Sequence, residues 1–152
     1  MSPFSRWFAC TALLTTLLIT GCASVDEFPA TAAEVDFDGA QGHTGWARHE
    51  RTCLVRDVRI DAAQAAAEKA LGFSKFELRK NDQMGGVVIG EHGATPYDYN
   101  IIAAIYLRTE GKDVRVRILV QASRDIGFLG DATERNWPVE LESSLRAILQ
   151  RE

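Results

Sequence analysis

Cysteine, histidine and proline are scarce in this chain, at 3, 3 and 4 of 152 residues. So few cysteines cannot build the disulfide framework of a small secreted domain. No Cys-x-x-C or His-x-x-x-His pairing gives a metal-ligand spacing, so no metal site is expected. There is no Ser-His-Asp context, no glycine loop poised to cradle phosphate before a helix, and no close acid pair at an evident cleft. The chain is therefore read as non-enzymatic and without a cofactor. An excess of positive charge is missing as well. With 17 Lys and Arg against 21 Asp and Glu, the formal net charge is −4, which argues against a nucleic-acid partner. What remains is an ordinary globular composition, 46% hydrophobic and 25% charged, at a length suited to one domain.

Charge is also missing from the first 21 residues, where Arg6 is the only charged side chain. An apolar stretch, Leu13 to Ile19, follows it and falls short of the roughly 20 residues that span a bilayer. A basic start, a short apolar core and a small-residue exit describe a secretion signal. The exit, Ile19-Thr20-Gly21-Cys22, resembles the lipobox of bacterial lipoproteins. Gly21 leaves room for a peptidase at the scissile bond, and the Cys22 thiol can carry a thioether-linked diacylglycerol. Cleavage before Cys22 would leave 131 of the 152 residues, anchored firmly by several acyl chains on one cysteine. Ala23 stands where the lipoprotein sorting rule reads its signal. The resemblance implies an outer-membrane location facing the periplasm. Cys10 leaves with the signal, so Cys53 is the one thiol without an assigned fate.

Residues 22–45 read as an acidic, flexible tether. Asp26, Glu27, Glu34, Asp36 and Asp38 have no basic neighbour before Arg48. A coil of this length reaches roughly 25 Å. A short strand around Glu34–Phe37 docked on the domain is the alternative. With those five acids and Arg6 set aside, residues 46–152 hold 16 side chains of each sign.

The folded part, 46–152, reads β-α-β-β-β-β-α. A first strand is expected over Cys53–Ile60. A helix follows over Ala62–Leu71, with Asp61 as N-cap and Gly72 as the C′ glycine. Phe73–Lys80 alternates, with Phe76 and Leu78 on one side. Val87–Ile89 is the next strand, with glycines 85, 86 and 90 at turns, and 91–98 is a loop. Tyr99–Thr109 and Lys112–Ser123 form a hairpin closed at Glu110-Gly111, which sets Leu107 opposite Val114 and Ile105 opposite Val116. After the 124–135 loop, Pro138 opens a last helix with Leu141, Leu145, Ile148 and Leu149 on one stripe. The expected fold is α+β: a two-layer sandwich of four or five antiparallel strands with two helices on one face.

Four features then resemble a group of small bacterial lipoproteins with the same order of elements and no settled activity. They are the helix ending Ala70-Leu71-Gly72-Phe73, the Gly-rich hairpin at 85–90, the Val114-x-Val116 strand, and Gly130-Asp131 before the last helix. The resemblance supports the fold and implies no catalytic residue.

Two candidate sites follow. Tyr106, Arg115, Arg117 and Leu119 lie on the sheet face away from the helices, with Arg108 and Ile102. An apolar patch framed by arginines suits contact with an envelope protein partner. That contact, together with the membrane anchor at Cys22, makes a non-catalytic interaction module the main functional expectation. The alternative is a small-ligand or anion binder using His92, Tyr97, Asp98 and Tyr99 beside Glu91. His43, His49 and Cys53 are close in sequence. His49 and Cys53 would face together on a helix, but the region reads as loop or strand. Cys53 is expected to be a small buried side chain.

Overall fold

The structure is a computed structural model and describes residues 23–44, 48–93, 98–125 and 136–151. It is α+β, as expected, with one antiparallel sheet and two helices on its inner face. In chain order the elements are β1 (Gly42–His43), β2 (Arg48–Val55), α1 (Ile60–Phe73), β3 (Glu77–Asp82), β4 (Val87–His92), β5 (Asp98–Glu110), β6 (Asp113–Asp125) and α2 (Trp137–Leu149). The sheet order is β1-β2-β6-β5-β4-β3, so β2 crosses over to pair with β6, the last strand.

The β5–β6 hairpin turns at Gly111-Lys112, one residue later than expected, because Glu110 pairs with Asp113. Gly111 supplies the positive φ of +65° that the first residue of such a turn needs. Every cross-strand pair therefore shifts by two: Leu107 faces Val116 and Ile105 faces Ile118. A shift of two preserves the side each residue faces, so the inner face remains Ile101, Ala103, Ile105 and Leu107 against Val116, Ile118 and Val120.

The first strand runs earlier than expected, from Arg48, because its partners on β6 begin at Gln121. Helix α1 also differs at both ends. Arg59 is the N-cap, and Asp61 sits in the first turn, held by Arg59. At the other end Gly72 is still helical. The left-handed residue is Lys75, at φ +63°. The Lys75 amide donates to the Gly72 carbonyl and the Phe76 amide to the Leu71 carbonyl, the two bonds of a Schellman motif. That motif aims Phe76 back at Leu71. Ala63, Ala66, Ala67 and Ala70 are fully buried, and these small side chains let α1 lie close on the sheet.

Gly90 is a strand residue rather than a turn. A Cβ there would stand 2.8 Å from the Phe76 Cβ and 3.3 Å from Leu71 Cδ1, so the glycine gives Phe76 its seat on β4. Asn136 caps α2 by accepting from the Val139 amide.

The largest difference from expectation is the segment read as a tether. Residues 23–41 lie against the outer face of the sheet. Ala23, Phe28, Ala32 and Phe37 are buried with Val87, Ile89, Ile102, Ala104, Tyr106 and Leu119 in a second apolar cluster. Burying a phenylalanine contributes about 2 kcal/mol. The two rings, nine positions apart, hold down a segment whose remaining residues are mostly small or acidic, with Val25 and Val35 packed beside them. Two short 3-10 turns, Val25–Glu27 and Ala32–Glu34, shape it. It passes along β5, turns at Ala32, whose amide donates to the Gly85 carbonyl, and crosses back to β6 and β2. The molecule has three layers: helices, sheet and strap.

Candidate functional site

The inner face is most tightly closed beneath the helices. Along β6, Val114, Val116 and Ile118 are fully buried, whereas Ala122, His49 opposite Val120 on β2, and His92 opposite Ile101 on β4 are half-buried. Three rings converge at this looser end. Phe76 arrives through the Schellman turn, His92 ends β4, and Trp137 opens α2. Phe76 stands edge-on to Trp137 at 5.1 Å and to His92 at 5.4 Å, and His92 lies 5.4 Å from Trp137. Such perpendicular contacts are favourable, and Phe76 and Trp137 are each 5% exposed. The Gly93 carbonyl accepts from His92 Nδ1 at 2.8 Å, so in the neutral ring Nε2 is an acceptor.

His92 is thus in a strand and not in the expected 91–98 loop. Asp98 and Tyr99 begin β5, paired with Asp125 and Arg124. Tyr97 lies outside the described residues. Of the expected ligand residues, then, the structure places His92 beside two partners that the sequence did not group with it. Residues 76, 92 and 137 share no local pattern that would have joined them.

A second cluster joins β2 to α2. The buried Glu142 carboxylate accepts from Arg51 and, at 2.8 Å, from Arg146 Nε, while Arg146 also donates to the Leu54 carbonyl. Burial alone would raise the Glu142 carboxyl, but the hydrogen bonds and charges of Arg51 and Arg146 hold it below its usual value. Cys53 is free and half-buried on this same side. Burial, reinforced by Glu142, pushes its thiol up to about 11, so it stays protonated near neutral pH and is a poor nucleophile. His49 and Cys53 share a strand face four residues apart, about 13 Å, too far to share a metal ion. Among the described residues no group of three His, Cys, Asp or Glu could hold one.

The expected partner face is covered. Tyr106 and Leu119 are buried under the strap, and the Tyr106 hydroxyl donates to the Pro29 carbonyl. Arg117 is only 2% exposed. Its guanidinium donates to Thr52 Oγ1 at 2.7 Å, to the Ala40 carbonyl at 2.7 Å and to the Glu50 carboxylate. Arg115 reaches Asp38 and Glu110, and Arg108 stacks over the Phe37 ring at 4.4 Å. The arginines that looked like a docking stripe are therefore the strap's own fastenings. The acids of the strap, which suggested a free tether, supply part of the counter-charge.

Among the described residues no helix is long and apolar enough to cross a membrane. No family model matches the chain, and no curated protein matches it. Solved structures do. The di-domain aromatase/cyclase BexL of the BE-7585A biosynthetic pathway aligns with a TM-score of 0.50 at 12% identity, over 68% of this chain. This chain spans 46% of that one, about half of its length. An uncharacterised protein from Bacillus thuringiensis aligns at a TM-score of 0.49 and 10% identity, over 69% of this chain and 97% of its own. At these identities the likeness is one of fold alone: an antiparallel sheet packed against its carboxy-terminal helix, a helix-grip arrangement.

Proposed function

We propose that this chain is a lipid-anchored binding protein of the cell envelope. It takes a small apolar or amphiphilic ligand at the inner end of its sheet. The observation that carries the reading is the convergence of Phe76, His92 and Trp137 at the half-buried His92 end of the inner face. Two aromatic rings offer apolar walls, and one imidazole nitrogen offers an acceptor, the mixture of many apolar and few polar groups typical of small-ligand sites. The helix-grip fold commonly binds hydrophobic ligands, which supports the same end. Binding is favoured over catalysis because the one thiol is held protonated and the buried carboxylate is occupied by two arginines. The strap over Tyr106, Arg117 and Leu119 favours ligand binding over docking of an envelope protein through Tyr106, Arg115, Arg117 and Leu119. The anchor is Cys22, and the location is the periplasmic side of the outer membrane.

The test is thermal unfolding of the mature protein in detergent with 2-naphthoate or octanoate as probe. A ligand of the folded state at a hundredfold excess over its Kd adds about 2.7 kcal/mol, a Tm rise of about 10 °C for a chain of this size. The rise should vanish in Trp137→Leu and shrink in His92→Ala. No rise with either probe, or a rise that Trp137→Leu keeps, would contradict the reading.

A further inference from the structure

We infer that the strap fixes how the domain meets the membrane, with the His92 end of the sheet against the lipid surface and the 111–112 turn pointing away. This rests on the lipid-anchor part of the proposed function and is independent of the ligand. A lipoprotein domain on a flexible tether samples every orientation. Here the slack is taken up. Ala23, the residue after Cys22, is 5% exposed, and its carbonyl accepts from Asn100 Nδ2 at 3.4 Å. Four positions on, the Glu27 carboxylate accepts from Gln121 Nε2 at 3.2 Å, and Phe28 is buried. Asn100 stands near the start of β5, and Gln121 pairs with Ile102 on the adjacent part of β6. The strap is therefore pinned at its first residue to the same end of the sheet as His92, which pairs with Ile101.

Direction supports the placement. From Ala23 at Asn100 the chain runs to Pro29 at Tyr106 and then to Ala32 at Gly85, travelling toward the 111–112 end. Traced backwards, it leaves the sheet at the His92 end. One peptide unit, about 3.8 Å between Cα atoms, separates Ala23 from the acylated residue. The acyl chains thus enter the bilayer close to Asn100 and His92. The turn, ten residues further along β5 at about 3.4 Å each, is held about 34 Å away. The partner of this end is a phospholipid surface.

The experiment places a benzophenone amino acid at Gly93 or at Lys112 in the lipidated, full mature protein. It is irradiated in vesicles of phosphatidylethanolamine and phosphatidylglycerol, and lipid adducts are counted. Both positions are exposed, and a Cβ at Gly93 meets nothing within 4 Å. Position 93 should give at least tenfold more lipid adduct than position 112. Inserting twelve Gly and Ser residues between Cys22 and Ala23 should bring the ratio toward one while the Tm stays unchanged. Equal adducts at the two positions, a ratio that the insertion leaves intact, or a Cys22 that mass spectrometry finds unacylated would each overturn the inference. Failure of the 2-naphthoate titration alone would leave it standing.

Discussion

Arg117 ties the strap, β2 and β6 together. It lies under the strap, salt-bridged to Glu50 and bonded to strap carbonyls. Removing one partner of such a pair leaves the other charge buried and uncompensated, which costs about 3–5 kcal/mol. Arg117→Met should lower stability by that amount in urea unfolding and expose residues 36–41 to limited proteolysis. Adding Glu50→Leu should recover part of the loss, because no stranded carboxylate then remains. If the double variant is as unstable as the single changes added together, the pair is not coupled. Cys53 makes a second residue-scale case. Its thiol is pushed about two pH units above the ordinary 9.0. Native protein at pH 8 should react with iodoacetamide about a hundredfold more slowly than a free thiol, with full reactivity restored in urea.

Among the elements, β4 depends on having no side chain at Gly90. A methyl group there would collide with the Phe76 Cβ, which has no rotamer to escape into. Gly90→Ala should cost about 1–3 kcal/mol and move Phe76 off Trp137. Near-ultraviolet circular dichroism of the folded variant would report the movement. The α2–β2 joint responds to acid. The Glu142 carboxyl sits below its ordinary 4.5, so it contributes stability above that pH, and the contribution is lost as pH falls through the lowered value. Glu142→Gln should flatten the acid limb of Tm against pH below 4.5; an unchanged limb would assign it to other groups.

The elements also mark how far the sequence could be read. Alternation in 101–107 and 114–120 revealed the inner face, because burial writes itself into every second residue. It could not choose between registers two residues apart, which bury the same side chains. That choice belongs to the Gly111 turn. Local pattern offered the strap only as an alternative, a docked strand around Glu34–Phe37; the segment docks, but through 3-10 turns and not as a strand. Two phenylalanines among small and acidic residues have the composition of a linker, and their partners on β4, β5 and β6 lie 50 or more residues away. The aromatic trio was illegible for the same reason: it is assembled from a helix exit, a strand end and a helix start.

At the scale of the whole molecule, the strap and the helices divide the two faces of one sheet between them. The outer face is covered by residues 23–41, which turns arginines that looked available into internal fastenings. The inner face is covered by Ala-rich α1 and by α2, and among the described residues Ala122, His49 and His92 are half-buried at one end of it. Under the proposed function and the proposed orientation, membrane contact and ligand entry share one end of the sheet. The most direct measurement of this division is hydrogen–deuterium exchange of the mature protein with and without 2-naphthoate. The account predicts added protection at 88–93, 100–103, 119–122 and 137–141, with residues 23–41 already protected and unchanged. Protection that appears instead on the strap, or strap amides that exchange freely in the absence of probe, would contradict it.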